Sequence, residues 1–147
     1  MAEETNARQL VVFSLGEEEY ALPVTSVQEI IHYTTPRAVA SDAAWIKGVI
    51  SLRGKIIPVA DLSARLGLYT EERNDGGKIV IVEAGSITAG VMVDDVEEVL
   101  TIDDEQLDAV PASGSEAIDG IVKIDDRLII LLELDTLFGG MELAVAA

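Results

Sequence analysis

The sequence predicts a mainly β protein made of two small five-stranded barrels packed together. Three observations predict it. Short β-branched and apolar runs recur at close spacing between turn signals, with few helical stretches. The chain is 49% hydrophobic but only 4% aromatic, so its core is Val, Ile and Leu, residues that suit pleated surfaces. Most telling, the chain contains itself twice. Gly48–Gly67 lies without a gap on Gly120–Gly139 at a shift of 72 residues, and Gln9–Ile31 lies on Lys78–Leu100 at a shift of 69.

The repeat aligns Ile57 with Ile129, Leu62 with Leu134, Gly16 with Gly85, Val27 with Val96 and Glu29 with Glu98. Such a period is too long for a solenoid and reads as one duplicated unit. Each unit is roughly 60–70 residues, near the lower limit for folding alone, so two would gain by burying apolar surface against each other. Strand exchange between the halves is compatible with the pattern but not legible in it. The copies differ at one turn: the first has Arg53-Gly54, the second Asp125-Asp126. A functional site is therefore expected around the first copy's turn.

The elements follow in order. Leu10–Leu15 and Tyr20–Pro23 read as a hairpin around Gly16–Glu19. Val24, Val27, Ile30 and Ile31 fit a short helix and a bent strand equally. Thr34–Asp42, with Pro36, reads as a loop. Val49–Leu52 and Ile56–Val59 are strands around Arg53-Gly54-Lys55, and Ser63–Leu68 is a helical turn or two ended by Gly67. Asn74-Asp75-Gly76-Gly77 separates the copies. Lys78–Val82 and Thr88–Val93 form a second hairpin around Gly85, and Val96–Leu100 mirrors Val27–Ile31. Asp103–Ser115 reads as a polar loop, Ile121–Ile124 and Leu128–Leu132 as a strand pair, and Asp135–Phe138 as the second short helix. Residues 8–139 are expected to form one domain of two barrel subdomains, with residues 1–7 and 140–147 as flexible tails.

Composition excludes several classes. A net charge of −17 and a pI near 4.1 argue against nucleic acid and anionic membranes, which need clustered Lys and Arg. Yet six of the ten basic residues (Arg37, Lys47, Arg53, Lys55, Arg65, Arg73) share one stretch, a local basic patch on an acidic protein. With no cysteine, disulfides, thiolate nucleophiles and zinc–thiolate sites are out. The polar N-terminus lacks the apolar region of a signal peptide, and Leu128–Leu132 is too short to span a bilayer, so a cytoplasmic protein is expected.

Catalytic templates fail on named requirements. Between Gly48 and Gly54-Lys55 lie five residues rather than the four of a phosphate loop, and Ile56 stands where Ser or Thr is needed. The dinucleotide fingerprint and the nucleophile elbow are absent. His32 is the only histidine and reads as an ordinary strand-end residue. Adjacent acids such as Asp94-Asp95, Asp103-Asp104-Glu105 and Asp125-Asp126 alternate faces on a strand, so they read as solvated turn charges. Asp119-Gly120 faintly resembles the barrel aspartic proteases but lacks the hydroxyl residue between. No catalytic residue, metal or cofactor is expected.

A binding role remains. Arg53 sits at a tight turn between apolar strands. Its plain reading is a solvated charge; its functional reading is an interface anchor, since Arg makes planar two-point contacts and is enriched at binding hot spots. Gly54 permits the turn by its backbone. Glu29, matched by Glu98, divides between a structural and a binding role. Val27, Ile30 and Val96 divide between core and interface, and Trp45 reads as packing over a barrel end.

These residues form a set that resembles the CheW family, the coupling proteins of bacterial chemotaxis. The resemblance rests on Ile46–Leu62 (IKGVISLRGKIIPVADL), with Phe13 and Leu15, Val27–Ile30 (VQEI), Leu66-Gly67-Leu68, Gly90–Asp94 with Val96, and Gly120 followed by Leu128–Leu134. It covers about residues 8–139. Two departures are mild: Ser51 where Asn usually precedes Leu-Arg-Gly, and Glu133 where Asp is common.

The resemblance implies two intertwined SH3-like barrels and a non-enzymatic adaptor. Its implied partners are the cytoplasmic helical tip of a chemoreceptor and the histidine kinase CheA, through that kinase's regulatory domain of the same fold, with which the family packs end to end in rings. It implies a location in the cytoplasm, peripheral to membrane receptor arrays through protein contacts. Onto the family's binding surfaces map Val27, Glu29, Ile30, Gly48, Arg53, Gly54, Gly90 and Val96; Lys78 and Ile79 map to the second barrel's edge. Two other readings stay open here: a scaffold of the same fold in a pathway other than motility, and a barrel binding a small ligand or metal through carboxylates.

Overall fold

The computed structural model describes residues 8–38, 45–66, 77–84, 87–108 and 118–134. Eleven strands are described: β1 (Arg8–Leu15), β2 (Glu18–Pro23), β3 (Val27–His32), β4 (Ile46–Leu52), β5 (Lys55–Asp61), β6 (Lys78–Ala84), β7 (Ile87–Val93), β8 (Asp95–Ile102), β9 (Leu107–Asp108), β10 (Ile118–Ile124) and β11 (Arg127–Leu132). One helix of four residues, α1 (Leu62–Arg65), follows β5. The strands form a five-stranded sheet, β3-β6-β7-β5-β4, and a six-stranded one, β8-β1-β2-β11-β10-β9, whose last member is only two residues long.

The duplication is visible strand by strand. β4 and β10 share one burial pattern at the 72-residue shift. The bulge between Val27 and Glu29 recurs where Val96 and Glu98 face β1, and the bulge between Ile46 and Gly48 recurs between Ile118 and Gly120. But the copies do not make one sheet each. Hairpin β1–β2 of the first copy joins the second copy's strands, pairing with β8 and, in parallel, with β11. Hairpin β6–β7 of the second copy joins the first, pairing with β3 and, in parallel, with β5. The barrels are intertwined by reciprocal exchange of hairpins. Lys78 and Ile79 are thereby moved from the expected second barrel: β6 is an inner strand of the first barrel, and Ile79 is fully buried between Ile31 and Met92.

The exchange explains why β1, β2, β6 and β7 are apolar on both faces. Their alternate residues enter different clusters. Ile50, Ile57, Val59, Ile79, Ile81 and Met92 fill the first barrel. Leu10, Val12, Ala21, Ile102, Val122, Ile129 and Leu131 fill the second. A third cluster, taken from both sheets, lies between the barrels and includes Phe13, Tyr20, Leu22, Leu62, Val80, Val82, Val91, Val93 and Leu132.

Several expectations are refined. Val24–Ile31 is a single 3-10 turn, Val24–Ser26, and then the bent strand β3. The strands around Arg53 start and end two or three residues further out than read. Asp103–Ser115 contains a 3-10 turn, Asp104–Gln106, and β9. β9 is long enough to make only two pairs with β10, too little to leave a periodic signal. Asp61 caps α1, its Oδ1 accepting from the N–H of Ser63 (3.1 Å) and Ala64 (3.4 Å), which accounts for a buried carboxylate. Gly67, Asn74–Gly76, Gly85, Asp135–Phe138 and both expected tails lie outside the described residues.

Candidate functional site

The Leu52-Arg53-Gly54-Lys55 turn joins β4 to β5 with a two-residue loop, Leu52 pairing with Lys55. Both central residues have positive φ, 53° at Arg53 and 81° at Gly54, the requirement of a type I′ turn. Gly54 meets it without strain; Arg53, a residue with a Cβ, does not. Nothing lies within 4 Å of where a Gly54 Cβ would stand, so the loop projects into open space.

The guanidinium of Arg53 folds back onto Glu29 of β3. Nε donates to Oε2 and Nη2 to Oε1, both at 2.9 Å. In sheet order β3 and β5 are separated by β6 and β7, so this fork joins opposite ends of the curled sheet and closes the barrel. The hydrogen bonds from Arg53 hold the Glu29 carboxyl below its usual range. The bridge is open to solvent on its cationic side: the Arg53 side chain is 73% exposed. Ile30, beside Glu29, and Ile56, three residues past Arg53, are both exposed. The first barrel thus carries an exposed arginine fork, with Lys55 also exposed on the turn, and its strands β3 and β5 each bear one exposed isoleucine, Ile30 and Ile56.

The other expected residues fall in two groups. Val27 and Val96 are half-buried and pack against the central cluster from equivalent positions in the two copies, which puts them on the seam between barrels. Gly48 and Gly90 are buried and can act only through backbone. A Cβ on Gly48 would stand 2.1 Å from the Arg37 carbonyl oxygen, which bonds the Val49 N–H. A Cβ on Gly90 would stand 2.8 Å from Ile79 Cγ2 inside the first barrel, where the second has Ala21. Arg53 and Glu29 are in direct contact; Gly48 sits against the Arg37 backbone and Gly90 against Ile79 and Ile81.

Sequence reasoning missed the second barrel's counterpart. Arg127 donates to both oxygens of Glu19 (3.1 and 3.0 Å) and lies 2.8 Å from Glu98. It also missed that the four exposed large apolar residues among the described ones are two repeat-related pairs, Ile30 with Val99 and Ile56 with Leu128. The adjacent Ile56-Ile57 carried the signal, because neighbours on a strand take opposite faces. Among the described residues no group of three or more His, Asp or Glu could hold a metal, and no helix is long and apolar enough to cross a membrane.

Comparison with known proteins gives one answer. The family model described as CheW-like domain matches residues 9–141. The probable chemotaxis protein CheW of Rhizobium etli is 34% identical over 139 residues, covering 92% of this chain and 90% of that protein. The chemotaxis protein CheW of Klebsiella aerogenes is 30% identical over 149 residues, covering 99% and 90%. Among solved structures, scaffolding protein TtCheW from Thermoanaerobacter tengcongensis superposes with a TM-score of 0.84 at 38% identity, covering 90% of this chain and 92% of that one. With the duplicated barrels, the Leu-Arg-Gly turn and a match over almost all its length, the chain belongs to the CheW-like domain family.

Proposed function

We propose that this protein couples the cytoplasmic helical tips of chemoreceptors to the histidine kinase CheA, supporting both array assembly and kinase control. That it is a non-enzymatic chemotaxis scaffold follows from its family; the two partners and the residues that meet them are our assignment. The observation that carries the assignment is the Arg53–Glu29 fork: a guanidinium 73% exposed on a two-residue turn and held in place by Glu29, on a barrel whose strands also expose Ile30 and Ile56. An exposed arginine beside apolar side chains is the chemistry of an interface anchor.

We assign Arg53, Gly54, Glu29 and Ile30 to one contact surface, and Val27 and Val96 to the seam where an amphipathic helix of a receptor tip lays its apolar stripe. Gly48 and Gly90 serve these surfaces through backbone shape. Residues 8–139 act as one unit in the cytoplasm. Individually weak contacts suffice, because an array presents many at once.

The test is CheA phosphorylation with its cognate receptor in membranes, with and without this protein. Strong receptor-dependent stimulation, abolished by Arg53→Glu, is expected. No stimulation with both partners active would overturn the assignment and leave the fold and family untouched.

A further inference from the structure

Neither half of the sequence holds a complete sheet. Among the described residues of 8–66, hairpins β1–β2 and β4–β5 make no strand pair with each other, and β3 pairs only with β6. Among the described residues of 77–134, hairpin β6–β7 finds its outer neighbours in β3 and β5, β8 pairs only with β1, and β11 completes its pairing on β2. Every sheet-building contact between hairpins therefore crosses from one half to the other. The central cluster is shared in the same way, with Phe13, Leu22 and Leu62 from the first half against Val80, Val91 and Leu132 from the second. Arg127 of the second half adds a polar link by donating to Glu19 of the first. All of these links are non-covalent; only residues 67–76 join the halves along the chain.

Charge makes the recognition selective. Residues 8–66 carry six basic and six acidic side chains, whereas residues 77–134 carry three basic and fourteen acidic. Two second halves repel each other, and a second half meets less repulsion from a neutral first half. A half without its complement exposes unpaired hairpin edges and its share of the central cluster, a state that captures a complement.

We propose that residues 8–66 and 77–134 are mutually recognising half-molecules, and that a second copy of this chain can supply either one. Two chains then exchange halves and form a dimer containing two complete double barrels. Every strand pair, every cluster contact and the Arg127 bridge is kept; only the path of the connection changes. Each candidate site in that dimer is built from two chains, with Glu29 and Arg53 from one and Val96 from the other.

Unlabelled and ¹⁵N-labelled full-length chains, each with a protease recognition sequence inserted between Asn74 and Asp75, provide the test. They are unfolded together, refolded at high concentration, diluted and cut, and the particles are weighed by native mass spectrometry. The expected result is monomer-sized particles joining a light half to a heavy half, as abundant as the two pure kinds together. Only wholly light and wholly heavy particles would overturn the proposal, as would halves that separate. If refolding yields aggregate, the folded chain is cut without unfolding. The proposal then requires one intact particle whose thermal midpoint rises with concentration, since unfolding now releases two chains; separation on cutting overturns it.

Discussion

Glu29 and Glu98 occupy the same place in the two copies, and each accepts the guanidinium that closes its own barrel. The two arginines, however, are not equivalents. Glu29 is gripped by Arg53, whose counterpart in the second copy is Asp125, while Glu98 is met by Arg127, whose counterpart in the first is Lys55. Moving the cation by two positions changes its setting. On the turn it stands in solvent with one carboxylate; at the start of β11 it is half-buried between two. The duplicated glutamate holds an arginine in both barrels, and the first barrel's arginine is the more exposed of the two, 73% against 35%.

From this contrast, Arg53→Ala should weaken partner binding with little effect on folding. The bridge it removes is exposed and screened, and such pairs add little stability. A partner that covers Arg53 makes it a hot spot, so affinity should fall at least about tenfold. Arg53→Lys should fall between, because an ammonium keeps the charge but not the two-point fork. Titration of the receptor tip or kinase domain by calorimetry, beside a melting curve for each variant, checks the pair of outcomes. A large drop in melting temperature with unchanged affinity would reverse the assignment.

Arg127 should behave in the opposite way. Its side chain is 35% exposed and holds two carboxylates, so Arg127→Met leaves Glu19 and Glu98 facing each other without a cation. Discounted for solvent screening, the loss is about 1–2 kcal/mol of stability. Lys123→Met, which removes an exposed pair with Asp108, is the control and should be near neutral. Urea midpoints for the two variants decide; equal effects would show that the second carboxylate adds nothing.

The turn and the repeat were legible because both are local or self-referential. Arg53-Gly54 between apolar runs marks a hairpin, and equal residues at a fixed shift mark a duplication. The interlacing was not, because parallel pairs such as Ile129 with Glu19 join strands more than a hundred residues apart without any local signature. β3 was ambiguous for a different reason. Its bulge skips Gln28, so Val27, Ile30 and Ile31 fall at helix-like spacing in an extended chain. The Arg53–Glu29 fork escaped because hydrophobic periodicity carries no information on which charges meet across a closed barrel.

Two glycines of the same hairpin should differ sharply on substitution. Gly48 has φ +148°, and a Cβ there would lie 2.1 Å from the Arg37 carbonyl oxygen, a backbone atom held by the Arg37–Val49 bridge. Gly48→Ala must break that bridge or displace β4, a loss of about 3 kcal/mol or more. Gly54→Ala meets no atom within 4 Å and suffers only the left-handed backbone conformation, about 1–2 kcal/mol. Denaturant midpoints should therefore rank wild type, Gly54→Ala, Gly48→Ala. The reverse order would mean that the turn, not the Arg37 contact, limits this hairpin.

Acid should loosen the fold through two identifiable carboxylates, one in each sheet. Hydrogen bonds from Arg53 lower the pKa of Glu29, and the backbone N–H of Val96, helped by Lys78, lowers that of Asp95. For a carboxylate whose folded pKa is depressed, the native state is favoured while the group is ionised in both states. That advantage is present above the unfolded pKa, ordinarily 4.5 for Glu29 and 3.8 for Asp95, and is lost as pH falls through the lower folded value. Stability should thus be level near neutrality and decline below about pH 4.5. In Arg53→Ala the Glu29 share disappears, so the decline should be shallower while the Asp95 share remains. Melting temperatures of both proteins across that window give the comparison. Parallel curves would show that the exposed fork is too well screened to couple to folding, leaving Arg53 a binding residue alone.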